Sequence, residues 1–302
     1  MLGIVLGLAS SLAWGTSDFL GGLQSRRISA LSVLLVSQPV GLALALVAAV
    51  VSGGDALSGR EMAIAFGSGA AAVLALAAFY RAMAVGSISV VATIGALGIA
   101  VPVLAGIIGG EEPGALQAIG AVAAFTGAVL VAREPNRLRA PSAPVDAAVG
   151  AKAPQRTDPD WRHGTTASVG LAALAGLGFG LFFWGLDLSS PPNPAWTIVA
   201  ARVGSVMTLL VAWAIVRPPM PSDRSMLPAL VLIGFCDVAA NSLFALATNH
   251  GLLSLVSVAG AMYSAVTVLL ARFILGERLA GVQRAGVVLA LAGVAALAGG
   301  SG

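Results

Sequence analysis

Charge is what this chain has least of. Only 10% of its 302 residues are Asp, Glu, Lys or Arg, whereas 58% are hydrophobic. Soluble domains carry about 25% charged residues, and a chain with so few cannot clothe a soluble fold in water. There is one cysteine, Cys236, set in apolar sequence, so no internal disulfide can form and its role reads as packing. The two histidines, His163 and His250, stand alone. With no His-x-x-x-His spacing and no cysteine pair, no metal site is expected. No Gly-rich turn leads into a Lys-Ser/Thr pair, so ATP-driven transport has no phosphate loop to use. No nucleophile elbow is present either.

What the chain does have is long apolar runs. Ten stretches of about 20 residues are each long enough for a hydrocarbon core of roughly 30 Å. They fall at 3–22, 31–51, 62–83, 87–109, 114–132, 167–187, 195–216, 226–248, 252–275 and 280–299. None alternates polar and apolar with a period of two, so helices rather than barrel strands are expected. The first stretch lacks a positive leader and carries Trp14 and Asp18, and reads as a retained helix rather than a cleaved signal. The one long polar stretch, Arg133 to Thr166, holds five prolines, six Lys/Arg and four Asp/Glu. It reads as a flexible linker, with a regulatory or partner-binding loop as the alternative.

The two sides of that linker resemble each other. At an offset of 165 residues, 11 of the 30 positions from Gly86 to Ala115 are identical, among them Gly86/Gly251, Gly95/Gly260 and Glu112/Glu277. Trp14-Gly15 and Trp184-Gly185 open the two halves. The expected domains are therefore a first repeat, 1–132, the linker, 133–166, and a second repeat, 167–302. Five helices per repeat is an odd number, which places the halves in opposite orientations across the bilayer, with a site where they meet. The expected fold is an all-α membrane protein of ten transmembrane helices in two inverted five-helix repeats.

The cations set the orientation. Of the 16 Lys/Arg, 13 lie in loops or helix ends after the odd-numbered segments, including Arg26, Arg27, Arg81, Arg133, Arg217 and Arg284. The positive-inside rule then puts the linker in the cytoplasm and both ends outside. The pI near 9.7 follows from these loop cations beside anionic lipid and calls for no nucleic acid.

Trp14-Gly15-Thr16-Ser17-Asp18-Phe19 resembles the Trp-Gly opening of EamA-type members of the drug/metabolite transporter superfamily. Leu275-Gly276-Glu277-Arg278-Leu279, followed by Gly286 and Gly293, resembles the Gly-Glu-Arg junction between the last two helices of that family's repeat. The first half keeps Gly110-Glu111-Glu112 but has Pro113 where Arg is usual. The resemblance covers both halves and implies a ten-helix transporter, with export as the family-level expectation. It leaves the substrate open, since relatives are assigned amino acids, sugars, nucleotides and drug-like compounds. Members are often drawn with both ends in the cytoplasm, the reverse of what the charges of this chain imply.

Ionisable side chains inside membrane helices cost about 2.5–3.5 kcal/mol each on insertion scales and are functional candidates by default. Asp237, Asn241, Phe244 and Thr248 step by four, three and four along one face of the eighth segment. A carboxylate and an amide beside an aromatic suit a cavity for a polar, partly apolar solute; a helix-end position satisfied by water is the plainer reading. Arg202 is the one charge within Ile198–Leu210. It can take a substrate carboxylate, form a buried pair with Asp237 or Asp187, or snorkel. In the first half Pro39 stands opposite Arg202 when Gly41 is set against Gly204, and Gln38 is the nearest polar substitute.

Ser10, Trp14, Ser17 and Asp18 share a face of the first segment, echoed by Gly180, Trp184 and Asp187 in the sixth. The two tryptophans line a cavity or anchor at the interface; Asp18 and Asp187, near helix ends, are expected to meet water. Small residues along the fourth and ninth segments read mainly as close packing. Tyr80 and Tyr263, the only tyrosines, are expected to line the cavity, and Pro102 to bend the fourth helix.

The substrate-binding candidates are thus Trp14, Gln38, Tyr80, Trp184, Arg202, Asp237, Asn241 and Tyr263, with no catalytic residue and no cofactor. The reading is a multi-pass plasma-membrane protein of bacterial type. It is expected to be a secondary transporter of a small polar or amphipathic metabolite that works by rocking one half against the other. A membrane-embedded enzyme, or a non-transporting receptor or assembly protein, is the alternative. Proton coupling, exchange and downhill flux stay open, and no oligomer is required. The charge asymmetry makes a direct prediction. A reporter fused after Gly302 reads extracytoplasmic and one within 133–166 reads cytoplasmic; the opposite pair of readings refutes the charge argument.

Overall fold

A computed structural model describes residues 2–53, 57–99, 101, 114–132, 161–189, 194–221, 223–250, 260, 262–277 and 279–299. Among these residues the chain forms ten α-helices and no strand. They are α1 (Leu2–Gln24), α2 (Ala30–Ser52), α3 (Gly59–Val85), α4 (Ile88–Gly95), α5 (Ala115–Ala132), α6 (Trp161–Ser189), α7 (Pro194–Val216), α8 (Leu227–Asn249), α9 (Tyr263–Ile274) and α10 (Gly281–Gly299). By length and composition α2, α3, α6, α7 and α8 can each cross a membrane, and shorter apolar stretches lie in α4, α9 and α10.

Local chemistry sets the helix starts. Ser29 caps α2 by accepting from the Ser32 amide, and Ser58 and Glu61 form a reciprocal capping box at α3. Ser87 caps α4 by accepting from the Val90 amide. Two expectations change here. The sixth helix begins at Trp161 rather than 167. The fourth is not one continuous helix over 87–109: eight α-helical residues give way to a 3₁₀ turn at Ala96–Ile99. Residues 251–259, in the expected ninth helix, lie outside the described residues. Pro102, the Gly110-Glu111-Glu112 junction and linker residues 133–160 lie outside the described residues.

The helices pair mostly across the linker. α1 packs on α8 and α9, α2 on α7 and α8, α3 on α6 and α7, α4 on α6 and α9, and α5 on α10. Antiparallel contacts run along α1 and α8, where Ser10 donates to the Ala240 carbonyl at 2.8 Å and Ser17 to that of Ile233 at 3.1 Å. The same sense holds for α3 and α6, where Ser168 donates to the Ala82 carbonyl at 3.1 Å and Gly185 lies against Ser68. Between apolar helices in lipid, dispersion and such hydrogen bonds carry the association, so close approach matters. It is closest where α3 crosses α7 and α8 crosses α2. A Cβ built on Gly69 falls 1.8 Å from the Ala201 carbonyl oxygen, and one on Gly234 falls 2.1 Å from that of Ser37.

One polar joint sits at the loop ends. Gly276 takes φ +65°, a left-handed conformation that glycine adopts without a Cβ clash. The following residue, Glu277, turns its carboxylate onto the start of α4. It accepts from Ser87 Oγ at 2.9 Å, the Ile88 and Ser89 amides at 3.1 Å each, and Ser89 Oγ at 2.9 Å. A carboxylate there satisfies orphan amides and meets the positive end of the helix dipole. Arg26, just after α1, completes the joint at 3.3 Å from Glu277 while donating to the Met83 and Gly86 carbonyls. Three segments far apart in sequence therefore meet at one carboxylate.

The crossings are testable within a single helix. Gly69→Ala forces α3 off α7 and is expected to destabilise the purified protein by about 1–3 kcal/mol, as overpacking does. Gly67→Ala, where nothing lies within 4 Å of a new Cβ, leaves thermal stability equal or slightly raised. Equal melting of the two variants disproves the close crossing.

Candidate functional site

The site begins with the need to neutralise a guanidinium among apolar helices. Arg202 is the ninth residue of the 23 in α7, and Asp237 the eleventh of the 23 in α8, so neither sits at a helix end. Arg202 is 7% exposed. Its Nη1 donates to Asp237 Oδ2 at 2.5 Å and to Gln38 Oε1 of α2 at 2.6 Å. Gln38 Nε2 donates back to Asp237 Oδ2 at 3.1 Å, which closes a three-residue ring. Asn241, one turn further along α8, donates from Nδ2 to the Asp237 carbonyl at 2.7 Å and to Oδ1 at 3.4 Å. Buried charges persist when paired and hydrogen-bonded in this way. Of the three readings open for Arg202, the buried pair with Asp237 is the one observed, and snorkelling is not.

This ring forms one wall of a cavity of about 80 Å³ between α1, α2, α3, α6, α7, α8 and α9. That is room for a few waters, well below the 300 Å³ or more of most ligand pockets. Apolar side chains from α3 and α6 make up much of the rest. Aromatic rings converge on Trp14: Phe183 at 5.9 Å with planes at 78°, Tyr263 at 6.3 Å with planes at 72°, and Phe244 at 5.5 Å. The near-perpendicular pairs set ring edges toward faces, which the aromatic quadrupole favours.

The structure brings together Trp14, Gln38, Arg202, Asp237, Asn241 and Tyr263 around this cavity. It does not bring Tyr80 or Trp184 there. Tyr80 is fully buried against Gly21 of α1, where a Cβ would fall 2.0 Å from its ring, and its hydroxyl lies 3.5 Å from the Ser17 carbonyl. Trp184 is 40% exposed and does not line the cavity. One residue moves the other way. Asp18, expected to meet water, is 8% exposed and lines the cavity. The side chains of Asp187 and Thr248 lie outside the described residues.

Sequence reasoning also passed over Phe182, Phe183 and Ser205, all cavity-lining. Phe183 adjoins Trp184 in sequence, but neighbouring helical residues point about 100° apart, so the conspicuous tryptophan drew attention from the ring that faces inward. For Asp18 the signal was present: it follows Trp14 by four residues and so shares its face. No group of three or more metal-ligating side chains occurs among the described residues.

Comparison with known proteins agrees with this architecture. A solved crystal structure superposes with a TM-score of 0.63 at 12% sequence identity, covering 97% of this chain and 95% of the other. At that identity the likeness is one of fold. No curated protein matches the chain. The model of the EamA-like transporter family matches residues 1–133 and 169–299, which is both sides of the polar linker. On that match over most of its length, the chain belongs to the EamA-like transporter family.

Proposed function

We propose that the protein is a secondary transporter that moves a small polar or amphipathic metabolite out of the cell by alternating access between two inverted five-helix repeats. The observation that carries this reading is the Arg202–Asp237–Gln38 ring, a paired charge held inside a cavity at the middle of apolar helices. Such a group is expensive in a bilayer and is kept where it meets a polar solute.

The inverted repeat draws support from the helix pairings. Exchanging α1–α5 for α6–α10 converts α1 on α8 into α6 on α3, α2 on α8 into α7 on α3, and α1 on α9 into α6 on α4. Each of these is an observed pairing, and α2 on α7, α4 on α9 and α5 on α10 convert into themselves. Gly69 and Gly234, which serve the equivalent α3–α7 and α8–α2 crossings, are 165 residues apart, the same offset as the repeat at Gly86–Ala115. The cavity then lies at the seam, with α1, α2 and α3 on one side and α6 to α9 on the other. At about 80 Å³ it is too small for a metabolite, which suits a closed state that must widen at one face to load and at the other to release. The likeness to EamA-like transporters supports transport, and the absolute orientation rests on the loop cations alone.

A double-variant cycle tests the site. Asp237→Asn or Arg202→Gln alone leaves an uncompensated charge and is expected to cost about 3–5 kcal/mol of stability. Joining both changes removes the charges together and restores most of it. Flux in proteoliposomes under subsaturating substrate is expected to stay at least tenfold down in all three, about 1.4 kcal/mol or more in free energy. Wild-type flux in the stable double variant removes the pair from the transport site and leaves it a structural bridge.

A further inference from the structure

We propose that the groove between α5 and α10 holds one anionic phospholipid, its phosphate paired with Arg284 and an acyl chain laid along Val288 and Ala292. This surface shares no residue with the cavity beside Arg202. α5 and α10 pack chiefly on each other. Ile119 and Val122 of α5 and Val282 and Val288 of α10 are more than half exposed, as lipid-facing residues are. The two helices touch closely at Gly127, where a Cβ would overlap the Ala290 amide nitrogen and the Gly286 carbonyl oxygen. Alongside that crossing lies an open groove of about 660 Å³, walled by Leu130 of α5 and by α10 from Gly281 to Ala292.

Polarity changes once along this groove. Arg284, the fourth of the 19 residues of α10, is its one charge, and Ala285, Val288, Leu289 and Ala292 continue it as hydrocarbon. At 1.5 Å per residue, Ala292 lies about 12 Å further along the helix than Arg284. Arg26 and Arg202 are both paired, whereas no side-chain partner of Arg284 is seen among the described residues. The acid nearest to it in sequence, Glu277, is held by Arg26 and by the start of α4. The Arg284 guanidinium is therefore available to an anion from outside the chain.

The loop cations assign this end of α10 to the cytoplasmic leaflet, whose anionic lipids attract basic residues and settle in basic pockets between membrane helices. Water does not suit the rest of the groove, since it needs two or more polar partners and the lining offers a single polar side chain. Hydrocarbon does suit it, because contact along Leu130 and Val288 supplies dispersion that a gap forfeits. A charge at the mouth with hydrocarbon beyond is the complement of a phospholipid. A free anion would use the mouth alone. A second copy docked there about a twofold axis would bring its own Arg284 against the first, like charge on like.

Purified full-length protein in detergent can be tested by native mass spectrometry and thermal unfolding with three probes: dioleoylphosphatidylglycerol, dioleoylphosphatidylcholine and inorganic phosphate. Phosphatidylglycerol is expected to be retained and to raise the melting temperature as its concentration passes Kd. Phosphatidylcholine, with the same chains but no net charge, is retained more weakly, and phosphate shifts nothing. Arg284→Gln is expected to weaken phosphatidylglycerol binding about fivefold, which is what one cation near an anionic headgroup contributes. Ala285→Leu fills the groove without touching the charge and weakens it too. Arg224→Gln removes an exposed cation of the same face outside the groove and leaves binding unchanged. Equal retention of the two lipids by the wild type overturns the inference without any variant. So does unchanged binding in Arg284→Gln or Ala285→Leu, an equal loss in Arg224→Gln, or a phosphate shift as large as the lipid's. A dimer that Ala285→Leu separates, with no lipid retained, gives the groove to a second copy and overturns it as well. Binding is read without any flux, so the result is independent of the transporter reading.

Discussion

The cost of placing charge in a hydrocarbon medium organises this molecule. A guanidinium at the middle of α7 can remain there only if a carboxylate and further acceptors reach it, and they come from two other helices. Asp237 of α8 and Gln38 of α2 close on Arg202 within 2.5 and 2.6 Å. Three helices from both sides of the linker are therefore fixed to each other by one requirement. The α2–α7 and α2–α8 contacts that surround the ring follow from it, as does the cavity the ring borders.

Away from that ring, the helices hold together without the hydrophobic effect that drives soluble folding, because lipid tails are as apolar as the side chains they would replace. Small residues do the work instead. Gly69 and Gly234 let α3 and α8 approach carbonyls of α7 and α2, and serines of α1 and α6 bond across to backbone carbonyls. Contacts of this kind slide or separate at modest cost compared with an interlocked core of large side chains. A seam built from them suits the rocking motion proposed above.

The loop-end joint at Glu277 has a different character. There a carboxylate, two amides, two hydroxyls and Arg26 meet, and partial exposure makes each bond cheaper to form and to break. It ties the end of α1 and the start of α4 to the turn before α10. The Gly276-Glu277 pair that signals the family in the sequence is thus the part of the motif that caps a helix in the opposite half. Its chemistry is structural, which is consistent with its saying nothing about substrate.

The sequence by itself determined the class of the protein, because hydropathy and charge scarcity are sums over local composition. It determined where most helices run, the polar divide between them, and the family, whose glycines and glutamate sit at helix ends. It also put Trp14, Gln38, Arg202, Asp237, Asn241 and Tyr263 forward, since a polar or aromatic side chain on an apolar helix is conspicuous one residue at a time. Only the tertiary structure decided how they divide the labour. That Arg202 pairs with Asp237, that Asp18 lines the cavity, and that Phe183 rather than Trp184 faces inward all depend on how helices rotate and cross. Those angles are set by contacts between residues up to 252 positions apart, and a periodicity read along one helix carries no information about which neighbour its face will meet.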